Sequence, residues 1–534
     1  MSRSRVLGPR SLFGAAMGLA VCGLALLAGR TERTVVVAQD SPRRPVVPDH
    51  HVALGSLTCG GTSKAARCHL QPDLPDLGER RDHYSGITEP VRFRELATWR
   101  EHGGHARAFD RLGTQRARVM ADQLAFFESG QKEPDDPRRK DPTKREDCLA
   151  CHALVLGGPG DRARDASVEG VSCESCHGNA GAAKDADGKS VPGWIDVHAQ
   201  PGWRASPKET WARHGMTYTP ELATWARTCL GCHLGTGDRK VTHMLHAAGH
   251  PPLSFELVTD LALAPHHFRE RAGEEVFPKE AAPWFYARLW SVGQAVTLAE
   301  SLRRIERALR ERKPLDFALM ECFACHHALD TSQATRRAAG WRQNARGFFG
   351  EPGEPTLALE SWMVSRHVAR RLLPKEKLDA LASDVVTVFG SATARGIRDP
   401  EKAVAAATRA VAAADDLVAR AEAAARADSK DPAAQARVTL ELLREVASDG
   451  EVGFYGFRAA EQQARAIYAL YLVGYARTEF RPANDDKIRA RIEELFGCLY
   501  NARREPRPAD FDLPTYDRAR EKLAAELPSE AKRR

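Results

Sequence analysis

Gly170-Val171-Ser172-Cys173-Glu174-Ser175-Cys176-His177-Gly178 holds two cysteines two residues apart, with a histidine directly behind the second. This C-x-x-C-H spacing lets both thiols form thioethers at one edge of a haem while the histidine binds the iron from one face. The pattern recurs at Cys148-Leu149-Ala150-Cys151-His152, Cys229-Leu230-Gly231-Cys232-His233 and Cys322-Phe323-Ala324-Cys325-His326. Four repeats with almost no cysteine outside them are not chance. A looser fifth site joins Cys59 to Cys68 and His69 across eight intervening residues. A bulged loop accommodates that spacing, because the Cys68-His69 adjacency still sets the iron ligand. The alternative for this pair is a disulfide or two free thiols.

The five sites take ten of the twelve cysteines and leave Cys22 and Cys498. Cys22 lies in an apolar leader, and Cys498, alone on a predicted helix, reads as a buried thiol. The expected cofactor set is therefore five c-type haems. Their attachment cysteines are Cys59, Cys68, Cys148, Cys151, Cys173, Cys176, Cys229, Cys232, Cys322 and Cys325. The proximal iron ligands are His69, His152, His177, His233 and His326.

Length and charge add bounds. A chain of 534 residues is too long for one ordinary domain. The formal charge of +7 is modest and would be largely cancelled by haem propionates. No dense basic patch interleaved with aromatics supports nucleic-acid binding. Residues 1–30 read as a signal peptide or membrane anchor: Arg3, Arg5 and Arg10 precede an apolar run from Leu12 to Ala28. Either way the body is exported, periplasmic or otherwise extracytoplasmic, as covalent haem attachment requires.

Residues 31–50 read as a polar tether and 51–340 as a loop-rich pentahaem cytochrome c domain. Porphyrins are themselves the large apolar bodies to bury, so weak periodicity there does not argue against folding. Residues 341–534 read as a helical bundle. Glu401–Ala425 is Ala-rich, Asp431-Pro432 opens a helix to about Val446, and Phe457–Ala476 puts Ile467, Leu470, Tyr471 and Val473 on one face. Asp485–Asn501 and Pro514–Leu527 add two more helices, and the succession predicts antiparallel packing. The fold class expected is mainly α with extensive loops, a multihaem cytochrome c domain followed by a C-terminal helical bundle.

Function turns on the second axial position of each iron. Two protein ligands suit electron transfer, while an open position admits a substrate. Nineteen histidines less the five proximal ones leave fourteen. His50, His51 and His367 read as solvent-exposed. The densest supply is His243-Met244-Leu245-His246-Ala247-Ala248-Gly249-His250-Pro251, where His243 and His246 share a helix face. Gly249 and Pro251 end that helix, so His250 points elsewhere and the stretch can serve two irons.

The segment from Cys59 to about Gly235 resembles the cytochrome c-554 family of tetrahaem electron carriers. The motif at Gly170–Gly178 is similar to that family's third, and Trp99 followed by His105-Ala106-Arg107-Ala108-Phe109 is similar to its Trp and His-Ala pair. The resemblance implies that His198 is a distal ligand and that Cys229–His233 is the fourth motif. Larger related cytochromes carry an Ala-Ala-Gly-His-Pro segment, which implies roles for His243 and His250. With His214, the distal candidates are His105, His198, His243, His250 and His214. In the family the haem of the second motif is five-coordinate, a role that would fall here to the haem at Cys148, Cys151 and His152.

Two functions are then in play. The first is an electron-transfer cytochrome working with redox partner proteins. The alternative is a redox enzyme acting on a small inorganic nitrogen or sulfur compound at that five-coordinate haem, with His214, Tyr218 or His102 as proton donors. No C-x-x-C-K motif of the pentahaem nitrite reductases occurs.

Overall fold

The computed structural model describes residues 51–60, 95–130, 136–156, 168–185, 187–198, 200, 202–237, 239–264, 284–311, 315–322, 357–358, 360–393, 396–397, 399–427 and 431–533. The leader, the tether up to His50, Cys68, His69, His83, His266, His267, Cys325, His326 and His327 lie outside them. Residues Val47–Arg534 form one compact unit. It is mainly helical, with three two-stranded antiparallel hairpins: β1 (Leu154–Val155) with β2 (Val168–Glu169), β3 (Ala183–Lys184) with β4 (Ser190–Val191), and β5 (Ala392–Thr393) with β6 (Gly396–Ile397).

The first half is built of short helices: α1 (Ser56–Gly60), α2 (Glu95–His102), α3 (Gln115–Glu128), α4 (Glu146–His152), α5 (Cys173–His177), α6 (Trp194–Val197), α7 (Lys208–Arg213), α8 (Leu222–Leu230), α9 (His243–Ala247) and α10 (Leu257–Leu263). Each attachment motif in the described residues falls in or beside one of them. Helices this short are marginal alone, so packing and capping must hold them.

The second half is long helices. α11 (Phe285–Arg310) is followed by α12 (Glu360–Leu372), α13 (Lys375–Ser391), α14 (Pro400–Arg426), α15 (Pro432–Ser448), α16 (Phe457–Tyr468), α17 (Asp485–Gly497) and α18 (Leu513–Glu526). The five helices read from sequence are α14 to α18. α16 continues through a wide turn at Ala469–Gly474, and Ile467, Leu470, Tyr471 and Val473 are all buried, as their spacing predicts. α14 starts behind the Asp399 cap with Pro400 in its first turn. Its Ala403, Ala406, Ala407, Ala410 and Ala414 are fully buried, and such small side chains let α11 approach closely along its length.

α11 was not anticipated. It lies in the segment read as haem-bearing and loop-rich, yet it packs on α8, α12 and α14. Over Phe285–Ala299 burial runs almost all round the cylinder, from Trp290 and Val296 to Arg288 and Gln294, and only the last turns, with Leu302, Ile305 and Leu309 buried, keep an amphipathic stripe.

A large core joins the bundle to Leu222, Ala223, Ala226 and Leu230 of α8 and to Leu257 and Val258 of α10. A smaller one gathers Cys59, Ala180, Trp194, Trp203 and Trp211. Among the described residues no helix is long and apolar enough to cross a membrane.

Candidate haem sites

Local chemistry sets each motif. α4 starts at a guanidinium: Arg145, buried, pairs with Asp147 at 2.6 Å and with Glu128 at 2.8 Å, and Asp147 accepts from the Cys148 amide at 3.0 Å. α5 carries a reciprocal Ser172/Ser175 capping box. It ends at Gly178 with φ 86°, where any Cβ would lie 2.1 Å from the Gly215 carbonyl oxygen, so only glycine fits. α8 passes into a wide turn, Gly231–Gly235, that presents Cys232 and His233. Its first amides, at Leu222 and Ala223, donate to Glu422 of the bundle at 3.2 and 2.9 Å.

The thiols of different motifs meet. Cys59 hydrogen-bonds Cys173, and Cys151 hydrogen-bonds Cys232. The contact with Cys59, and burial, push the Cys173 thiol up; Cys151 is raised in the same way while its partner Cys232 is drawn down to about 7. Burial is the main cause that raises Cys176 to about 11 and Cys148 and Cys229 to about 12. Apart from Cys232, these are protonated, shielded thiols. Cys59 thus adjoins the third motif, and the second motif adjoins the fourth.

The histidines sort by what their ring nitrogens do. Nδ1 lies on a backbone carbonyl in His152 (Ala108, 3.1 Å), His198 (Trp194, 3.0 Å), His214 (Pro192, 2.8 Å), His246 (His250, 3.1 Å) and His250 (Pro251, 2.8 Å). A carbonyl takes the proton of Nδ1, so Nε2 keeps its lone pair for iron. Burial lowers the pKa of His105, His233, His246 and His250, which keeps them neutral, as a ligand must be.

In two places a candidate distal histidine lies beside a motif histidine, the rings edge to face. The rings of His105 and His233 are 6.0 Å apart, and those of His152 and His250 are 6.4 Å apart. Two imidazoles binding one iron from opposite faces, each through a bond of about 2 Å, hold their ring centres about 6 Å apart. His233 is further fixed by Phe255, stacked at 4.4 Å. The residues present therefore fit haem. Its thioethers would come from the paired cysteines and its axial bonds from these imidazoles. Among the described residues no three of His, Cys, Asp and Glu converge as the ligands of a bare ion would.

The remaining candidates are placed as follows. His198 is edge-on to Trp194 at 5.1 Å, and His214 to Trp203 at 5.7 Å. His243 opens α9, its amide bound to Asp316 at 2.8 Å and its ring beside Phe317. As anticipated, Gly249 (φ 108°) stops the helix and His250 leaves its face. His246, which the spacing of the stretch singles out but the list of five distal candidates omits, has its Nδ1 on a carbonyl and a burial-lowered pKa as His250 does. Tyr218 packs edge-on against Trp211, and His102 is exposed beside Glu101. Cys498 is half-buried, with its thiol on the Glu494 carbonyl.

Two histidines contradict the expectation of solvent exposure. His51 is 4% exposed, its Nδ1 2.7 Å from the Gly181 carbonyl and its Nε2 3.1 Å from that of Arg213. His367 is 1% exposed, with Nε2 2.9 Å from Asp449, which also pairs with the buried Arg366. Flanking sequence on a polar tether gives no sign of such long-range partners. With both nitrogens or Nε2 engaged, neither residue is a haem ligand.

Cysteine pairs with an adjacent histidine, and neutral imidazoles within an iron's reach of one another, are the features that a c-type cytochrome requires. Residues 93–178 match the family model described as cytochrome c554 and c-prime, and this segment is cytochrome c-554-like. The match takes in Trp99, His105 and the second and third motifs. No curated protein and no solved structure matches the chain.

Proposed function

We propose that the chain is an extracytoplasmic electron-transfer cytochrome with five covalent haems, whose irons are closed by protein imidazoles on both faces. The carrying observation is the pair of histidine couples, His105 with His233 and His152 with His250, each spaced for one iron. Low-spin iron with two imidazoles reorganises little on changing charge, which suits rapid transfer. Thiol contacts between the first and third sites, and between the second and fourth, put those haem edges side by side and so favour fast exchange within each pair. Partners would be soluble or membrane-bound redox proteins.

The enzymatic reading needs an open iron at Cys148, Cys151 and His152; the 6.4 Å spacing of the His152 and His250 rings supports a closed one instead. EPR of the oxidised protein with and without nitric oxide tests the proposal, alongside the mass of the mature chain. Only low-spin signals, unaltered by the ligand, and a mass increment of five haems are expected. A high-spin signal that nitric oxide abolishes would overturn closed coordination.

A further inference from the structure

Arg239, just behind the fourth motif, touches two attachment motifs at the same position in each. Its Nε donates to the Ala150 carbonyl at 2.8 Å, and Ala150 directly precedes Cys151. Its guanidinium also lies over Gly231, which directly precedes Cys232: a Cβ there would stand 3.0 Å from an Arg239 Nη. Gly235 (φ 74°) and Gly237 (φ 65°) fold the chain back behind the motif, and the Arg239 amide donates to the Thr236 carbonyl at 3.2 Å. Arg307 of α11 holds that turn by donating to the Gly237 carbonyl at 2.8 Å. Arg239 is exposed, yet among the described residues no carboxylate pairs with it. It is therefore an uncompensated cation at the place where Cys151 and Cys232 meet. Contact with Cys232 leads the rise of the Cys151 thiol, contact with Cys151 leads the fall of Cys232, and burial leads the rise of Cys176. At all three the Arg239 charge favours the thiolate.

We propose that Arg239 sets the potentials of the second and fourth haems: its charge raises both together and makes this pair the place where electrons collect in a partly reduced chain. This rests on the reading of both motifs as haem sites. Reduction brings one electron to a haem, and a fixed cation at the attachment edge stabilises the reduced form more than the oxidised one. Because Arg239 meets the same residue of both motifs, the rise is shared, and exchange within the pair is not penalised. The residue acts through its charge and binds neither iron. Its exposure leaves that charge open to screening by salt.

The test is a redox titration of the full-length, haem-loaded chain followed by EPR, in which each low-spin signal is lost at its own midpoint. Arg239→Gln keeps a polar side chain without the charge and should move two of the midpoints to lower potential, leaving the others in place. Arg239→Lys keeps the charge and should hold every midpoint near that of the unsubstituted chain, which a merely structural role for the guanidinium would not allow. Raising the salt concentration should shrink the difference between Arg239→Gln and the unsubstituted chain. Arg239→Met gives the same reading should Arg239→Gln not accumulate. Midpoints unmoved in the variant without the charge, or moved as far in Arg239→Lys, would overturn the proposal. Peptide mapping that recovers Cys148 and Cys151, or Cys229 and Cys232, as free thiols in the unsubstituted chain would instead overturn the reading of that motif as a haem site.

Discussion

Replacing His250 by alanine tests the assignment of closed irons most directly. The His152 and His250 rings are 6.4 Å apart, a distance filled by two iron–nitrogen bonds of about 2 Å and the half-width of each ring. His152 keeps its bond to the Ala108 carbonyl in the variant, so the proximal side is unchanged. A substitute for His250 must come from nearby, and His246 is the nearest described candidate, with its ring 6.3 Å away. Its Nδ1 is tied to the backbone carbonyl of residue 250, a bond that alanine retains, so His246 stays anchored. The expected outcome is therefore one high-spin iron per chain, which binds nitric oxide and returns to low spin on adding free imidazole. Loss of an imidazole donor favours the ferrous state, so the potential of that haem should rise by on the order of 0.1 V, within the span of about 0.8 V that axial ligands command. EPR and spectropotentiometry read both quantities. An unchanged spin state in His250→Ala would refute the pairing. So would nitric oxide binding at the Cys148/Cys151 haem of the unsubstituted chain.

His105→Ala should act likewise on the haem of Cys229 and Cys232, giving a second, additive high-spin signal in the double variant; a single signal there would mean both histidines serve one iron. Glu422→Ala removes the acceptor for two α8 amides and should lower stability by about 1–2 kcal/mol, measured as a lower urea midpoint. Asp449 titrates below the ordinary carboxylate range: burial opposes this, but the His367 hydrogen bond and the Arg366 charge prevail. Because its folded pKa is depressed, its contribution is present above about pH 4 and fades as pH falls through the folded value. Asp449→Asn strands the buried Arg366 and should cost about 3 kcal/mol at pH 7. The gap in urea midpoint from the unsubstituted chain should shrink below about pH 4.

The motifs were legible because their chemistry is local: two thiols and an imidazole within five residues leave little else to read. α14 to α18 were legible because each keeps a polar face, which marks the period. α11 escaped because burial on almost every side over Phe285–Ala299 erases that period, and its length is concealed among haem motifs. Histidines able to serve as second axial ligands were legible as a supply but not as neighbours in space. Sequence spacing shows that His246 and His250 are near one another, whereas which of them meets His152 depends on the turn at Gly249 and on where α4 lies. His51 and His367 misled because exposure was inferred from neighbours in sequence, and their partners lie more than eighty residues away. The amides of Leu54 and Gly55 that donate to the buried Glu174 carboxylate were similarly invisible, since they precede it by over a hundred residues.

The sequence of the bundle assigns it no specific role. Its contacts give it a mechanical one. α8 has nine residues, too few to persist alone, yet it must hold the thiols and imidazole of the fourth site at fixed separations. One face, Leu222, Ala223, Ala226 and Leu230, is buried in the same core as α11 and α14. Its N-terminus is capped by Glu422, and Arg426 of the same bundle helix donates to the Pro220 carbonyl at 2.8 Å. Arg227 pairs with Glu300 of α11 at 3.2 Å, and Arg303 ties Glu300 to Asp415 of α14. Farther on, Arg465 of α16 pairs with Asp260 of α10 at 3.1 Å. Electron transfer falls steeply with distance, so a site on a marginal helix needs a stiff wall behind it. Long alanine-faced helices locked to α8 at both its core face and its first turn supply that wall. Weakening Glu422 should therefore broaden the spread of potentials at the Cys229/Cys232 haem before the bundle unfolds.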